Sequence, residues 1–153
     1  MELEEVRYDD PVVQELTREV QAEYGRRYGG DGDVSPMDPE RFVPPRGAFF
    51  LATLEGEPVG IGGWRWGGPA DGDGEIKRMY VREERRRTGV ARAILDELER
   101  TAKEAGVRRL VLATGSAQPE AIAMYRIAGF ADIPAFGHYA DAPGAVHLGK
   151  DLS

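Results

Sequence analysis

Hydrophobic and polar positions along the chain follow two periods, and each change of period marks an element. After Asp10-Pro11, an N-cap followed by proline at the first helical position, Val12, Val13, Leu16 and Val20 recur at helical spacing up to Gly25. The stretch from there to residue 46 is rich in glycine and proline and lacks periodicity, which predicts a loop holding at most a short helical turn. Residues 48–54 and 59–66 read as two strands joined through Glu55-Gly56-Glu57, a hairpin, and 67–73 as the loop after it. Residues 75–81 form a third strand. Val90, Ala91, Ile94, Leu95, Leu98 and Ala102 then share one helical face until Gly106 stops it. Residues 110–113 are continuously apolar, as in a strand buried on both faces. Pro119 opens another helix bearing Ile122 and Tyr125, which Gly129 closes, and strands are expected over 130–139 and 145–152. This order predicts one α/β domain over residues 1–153, a mixed sheet flanked by helices.

Composition narrows the function. The 153 residues contain no cysteine, so disulfides, a thiolate nucleophile and a cysteine zinc site are excluded. Two histidines, His138 and His147, without a third ligand type at metal spacing predict no metal site. Ser116 follows Gly115, but the Gly-x-Ser-x-Gly pattern of a serine hydrolase is missing. The opening Met-Glu-Leu-Glu-Glu lacks a basic and then apolar leader, and no stretch approaches 18 apolar residues; the expectation is a cytoplasmic domain with no membrane contact.

Charge is unevenly placed. The net charge is −7, yet Lys77 to Arg92 holds seven basic and two acidic residues, so that window carries +5 and the remainder −12. An arginine run is commonly a solvated loop. Here it lies between a strand and an amphipathic helix, and Arg86-Arg87-Thr88-Gly89-Val90-Ala91 enters the helix's first turn. Free backbone N–H groups and the positive end of the dipole make that turn an anion site, and Gly89 lets a phosphate come close. A polyphosphate ligand follows. The Walker pattern is absent, and Gly60-Ile61-Gly62-Gly63 lies inside a strand, so neither a P-loop nor a dinucleotide fingerprint supplies it.

Arg86-x-x-Gly89-x-Ala91 resembles the acetyl-CoA pyrophosphate motif of the GNAT superfamily of N-acetyltransferases. Residues 75–81 resemble that family's fourth strand, and Ala121-Ile122-Ala123-Met124-Tyr125 with Gly129-Phe130 its Ala-x-x-x-Tyr and Gly-Phe signature. The resemblance spans nearly the whole chain and implies the family's acyl-CoA N-acyltransferase fold, with about six to seven strands. It implies acetyl-CoA as co-substrate, no metal, and direct transfer of acetyl to a primary amine of a small molecule or protein. Pantetheine would add along the strand at Met79, Tyr80 and Val81, and the pyrophosphate would meet Arg86, Arg87, Thr88, Gly89, Val90 and Ala91. Gln118 stands where relatives often carry a cofactor-contacting asparagine. Glu75 matches a general base, with a water chain as the alternative; Tyr125 matches the general acid at the departing thiolate, and the Met79 N–H the oxyanion donor.

The acceptor is less legible. Trp64 and Trp66 share a sheet face, as core or as acceptor wall. Tyr24, Tyr28 and Glu23 end the first helix where relatives build acceptor pockets, and Asp31, Asp33, Asp38 and Glu40 hint at a cationic substrate. A non-catalytic acyl-CoA-binding sensor or subunit is the alternative reading. Nucleic-acid binding through the arginines ranks last, because stacking aromatics are absent and the remaining −12 repels a polyanion. A homodimer is compatible with the family.

Overall fold

The computed structural model describes residues 1–28 and 35–153, with Arg27 and Tyr28 as backbone only. Asp31 and Asp33 of the acidic loop, and the Tyr28 side chain, lie outside the described residues. In chain order the elements are β1 (Glu2–Glu5), α1 (Pro11–Tyr28), a 3₁₀ turn (Pro39–Phe42), β2 (Gly47–Leu54), β3 (Glu57–Trp66) and β4 (Asp73–Val81). A second 3₁₀ turn (Glu83–Arg85), α2 (Val90–Glu104), β5 (Arg109–Gly115), α3 (Pro119–Ile127), β6 (Ala131–Asp132) and β7 (Ala145–Asp151) follow. One mixed sheet runs β1-β2-β3-β4-β5-β7-β6, in which β4 and β5 are parallel and the other pairs antiparallel.

Each face of the sheet carries its own core. Ile94, Leu95, Leu98 and Ala102 of α2 are fully buried and pack with Ile76, Leu110, Leu112 and Leu148 from the sheet. Val13, Leu16 and Val20 of α1 pack on the opposite face with Phe49, Leu51, Ile61 and Tyr80. The glycines of β3 serve the first packing. A Cβ on Gly60 or Gly62 would stand 2.9 Å from an Ile94 methyl, so bare backbone lets α2 sit close to the strand. Trp64 belongs to that core: it is buried, and its indole Nε1 donates to Thr101 Oγ1 at 3.0 Å.

Three sequence expectations shift. The N-terminal segment adds an edge strand that its sequence conceals, since Leu3 is its only apolar residue among glutamates. The first helix does not end at Gly25 but continues to Tyr28. The strand expected over 130–139 shrinks to Ala131–Asp132, because Pro134 offers no N–H to a ladder and Gly137 turns left-handed at φ 70°.

Candidate active site

The strands β4 and β5 pair over three residues each and then part. Asp73, Gly74 and Glu75 register with Arg109, Leu110 and Val111, while β5 stays paired to β7 along its whole length. A buried ion pair closes the joined end: the Arg109 guanidinium donates from Nε and Nη2 to the two Asp73 oxygens at 2.9 and 2.8 Å. Burial opposes the Asp73 charge, but the Arg109 hydrogen bond, with the Ala70 N–H and the Arg109 charge behind it, holds this carboxyl below the usual carboxylate range. At the other end β4 bulges. Between the pairs Ile61–Tyr80 and Gly63–Lys77 it holds one residue more than β3, and Arg78 takes φ 56°.

Beside the part of β4 that β5 leaves uncovered lies a cleft of about 510 Å³. Met79 and Val81 line it from β4; Arg86, Arg87, Gly89 and Ala91 from the loop and first turn of α2; Gln118 and Tyr125 from α3. Eight residues proposed from sequence thus share one space. Gly89 is the N-cap of α2 at φ 87°, a conformation natural to glycine, and brings no side chain to cap the first turn. A Cβ there would meet nothing within 4 Å, so the turn faces open space of the kind an anion fills.

The other sequence candidates stand elsewhere. Tyr80 packs on the α1 face, edge-on to Tyr24 at 5.5 Å. Val90 is core. Thr88 is exposed, and its hydroxyl donates to the Arg85 carbonyl. Glu75 lies outside the cleft lining, on the α1 face of β4. Its carboxylate meets Arg65 Nη2 at 3.1 Å, with both side chains more than four-fifths buried.

The arginine window is balanced from outside itself. Arg82 pairs with Glu19 at 2.9 Å, Arg85 with Glu57 at 3.9 Å and Arg87 with Glu120 at 2.6 Å. Arg86 donates from both Nη atoms to the Glu23 oxygens at 2.7 Å and from Nε to the Val81 carbonyl at 3.0 Å, tying the loop before α2 to α1. Its guanidinium is raised further by the Glu23 hydrogen bond, burial opposing. These four guanidinium–carboxylate pairs set much of the window's charge against carboxylates from outside it. Glu23, expected near an acceptor amine, is engaged by Arg86. Asp38 caps the first 3₁₀ turn through the Glu40 N–H, and Glu40 pairs with Arg7.

Tyr125 is buried edge-on to Phe130 at 5.5 Å, and burial pushes its phenol above the ordinary value, so it holds its proton near neutral pH. Tyr24, expected at an acceptor pocket, also lines this cleft, as do Met124 and Arg92, which the sequence reading named without a site role, and Glu120, which it missed. Helical spacing signals Met124, since Ala121, Met124 and Tyr125 fall on one face of α3. Among the described residues, no three His, Cys, Asp or Glu could hold a metal ion, and no helix is long and apolar enough to cross a membrane.

Comparison with known proteins agrees with this geometry. The model of the acetyltransferase (GNAT) family matches residues 13–130. An IAA acetyltransferase of Azospirillum brasilense is 34% identical over 143 residues, 94% of this chain and 92% of that protein. Among solved structures, a GNAT-family acetyltransferase of Staphylococcus aureus superposes with TM-score 0.78 at 18% identity, covering 99% of this chain and 100% of that one. An aminoglycoside 6'-N-acetyltransferase complexed with coenzyme A gives 0.74 at 16% identity, covering 100% and 98%.

Proposed function

The chain belongs to the acetyltransferase (GNAT) family, and from that premise we propose that it transfers acetyl from acetyl-CoA directly to a primary amine. The observation that carries this reading is the cleft beside β4: a β4 edge at Met79 and Val81 that β5 does not cover, the uncapped turn of α2 beside it, and Tyr125 across from both. That combination fits an elongated ligand with a peptide-like arm and a polyanionic end. The free edge offers main-chain hydrogen bonds to the pantetheine arm, and the first turn of α2 meets the pyrophosphate with N–H groups and dipole. Coenzyme A is the ligand of one structural neighbour.

In this mechanism the amine approaches from the α1 face, where Glu75 stands. Glu75 takes the ammonium proton through a water, with Arg65 fixing the carboxylate. The freed nitrogen attacks the thioester carbon, and the Met79 N–H, beside the Arg78 bulge, donates to the developing oxyanion. Collapse of the tetrahedral adduct breaks the C–S bond, and the second proton of the nitrogen passes to solvent. A raised phenol is a weaker acid than a thiol near pKa 8.5, and even an ordinary phenol is about 1.5 units, or roughly 2 kcal/mol, short of giving its proton outright. Tyr125 therefore stabilises the departing thiolate by a hydrogen bond, and solvent delivers the proton.

The test is a panel of amines with acetyl-CoA, read as free thiol release, beside calorimetric titration of CoA. Amine-dependent thiol release establishes the transferase; CoA binding with no release for any amine supports the sensor or subunit instead. Absence of CoA binding overturns the reading altogether.

A further inference from the structure

The cleft brings together charges of unequal freedom. Three of its lining residues are cations, Arg86, Arg87 and Arg92, and among the described residues that line it Glu120 is the one acid. Arg86 is committed. All three of its side-chain nitrogens donate, two to Glu23 and one to the Val81 carbonyl, and the Glu23 side chain is only 9% exposed. Arg92 pairs at 2.9 Å with Asp96, one turn along α2 and outside the cleft lining. Arg87 instead takes its carboxylate from inside the cleft: its Nη2 donates to Glu120 Oε1 at 2.6 Å, with the two side chains 80% and 64% exposed.

That contact joins the two helix starts that line the cleft. Arg87 lies two residues before the Gly89 N-cap of α2, and Glu120 is in the first turn of α3, directly after Pro119. Neither helix receives a side-chain cap, since Gly89 has none to offer and Gln118 makes no capping bond. Glu120 thus carries negative charge to the positive end of α3, a favourable place for it with or without Arg87. Arg87 itself adopts φ 65°, a left-handed backbone uncommon for a residue with a Cβ, and strain of this kind collects at ligand sites.

We propose that Glu120 is a built-in competitor for the cofactor's phosphates: it holds Arg87 when no cofactor is bound, and the pyrophosphate of CoA takes Arg87 from it. This rests on the acetyl-CoA reading of the cleft. A pyrophosphate carries more charge than one carboxylate and can accept both arms of the guanidinium fork, so the exchange favours the ligand. It also strands nothing, because the released Glu120 stays in water at the start of α3. Drawing Arg86 away would instead leave the nearly buried Glu23 carboxylate without its partner. Arg87 is therefore the cation that changes partners. An exposed ion pair shifts an equilibrium by a factor of about 1.5 to 5, and Glu120 repels the phosphates as well. The carboxylate makes CoA bind several-fold more weakly than the same cleft would without it, and lets the product leave sooner.

The experiment titrates CoA and 3'-dephospho-CoA, which keeps the pyrophosphate, into the wild-type protein, Glu120→Gln, Arg87→Gln and the double variant, with dissociation rates measured by stopped flow. Glu120→Gln should bind both ligands about three- to tenfold more tightly, mostly through slower dissociation. In the Arg87→Gln background the same substitution should gain less than half as much, because no guanidinium is there to release. Unchanged or weaker CoA binding by Glu120→Gln overturns the proposal. So does an equal gain with and without Arg87, which makes Glu120 a repelling charge and nothing more. A gain for CoA with none for 3'-dephospho-CoA moves the exchange to the 3'-phosphate and overturns the pyrophosphate assignment. No CoA binding by wild type or by any variant is the failure of the acetyl-CoA reading itself, and the exchange falls with it.

Discussion

Replacing Gly89 by Asp probes the proposed anion site at the start of α2, and Gly89→Asn supplies its control. Both side chains enter space in which a Cβ meets nothing within 4 Å, so neither clashes with the protein. Both must adopt φ near 87°, which costs an L-residue about 1–2 kcal/mol, least for Asn and Asp. Strain and size are matched; charge is not. A carboxylate about 4 Å from one phosphate charge costs about 1 kcal/mol at the dielectric of water and about 4 kcal/mol at an effective value of 20. It also opposes the helix dipole's contribution of about 0.3–1 kcal/mol. The expected loss for Asp relative to Asn is thus about 1.3 kcal/mol or more, roughly a tenfold rise in CoA Kd, and it should shrink as salt is added. Calorimetric titration at two ionic strengths, with melting temperatures for both variants, measures each part. Equal CoA affinities for Asp and Asn would refute the placement of the pyrophosphate at this turn.

Three further outcomes follow from the same geometry. Glu75→Gln should lower turnover about 10²-fold or more and alter the acidic limb of the rate profile while CoA binding holds; an unchanged profile moves the proton to water alone. Tyr125→Phe keeps the ring against Phe130, so melting temperature and acetyl-CoA affinity should stay while turnover falls roughly 10- to 10³-fold. Normal turnover with lowered stability would make this tyrosine a packing residue. Asp73→Asn should destabilise the fold by about 1–3 kcal/mol at neutral pH by removing the charge that Arg109 meets. Because the folded carboxyl is depressed, that contribution is present above the unfolded value near 3.9 and is lost as pH falls through the folded value. Denaturant titrations of both proteins should therefore converge in acid, and a constant gap down to pH 2 would sink the assignment.

The parts legible in the sequence are those written in local patterns. The amphipathic stripe of α2, the hairpin of β2 and β3 and the glycine at the α2 N-cap follow from spacing and turn chemistry alone. Arg86 through Ala91 could be placed at a helix start because strand, basic turn and helix adjoin in the chain. What stayed hidden is relational. The acidic β1 pairs only because β2 offers an edge, and no periodicity announces that. Arg86 looked like a phosphate ligand, but its partner Glu23 is 63 residues away on α1, so its engagement with that carboxylate is visible only once the chain folds. His147 read as one of two histidines too few for a metal. Its burial edge-on to Phe136 is visible only once the chain folds.

The same contrast explains why the site opens where it does. A parallel pair of strands held along its length would leave no free edge, so the cleft requires that β4 and β5 be joined firmly at one end and kept apart at the other. Asp73 and Arg109 provide the join, with a guanidinium fork on a carboxylate that is almost wholly buried. The bulge at Arg78 provides the departure, since the extra residue bends β4 and increases its local twist. The Arg86–Glu23 pair then ties the loop after β4 to α1 on the far side of the sheet. These features lie on the framework that positions Met79, Gly89 and Tyr125, and the first and last are ion pairs rather than apolar contacts. A charge pair with fixed fork geometry sets direction as well as distance, which packing of Leu and Val does less well. The cleft's width is thereby set by directional contacts at both ends, while the two apolar cores hold α2 and α1 against the faces of the sheet.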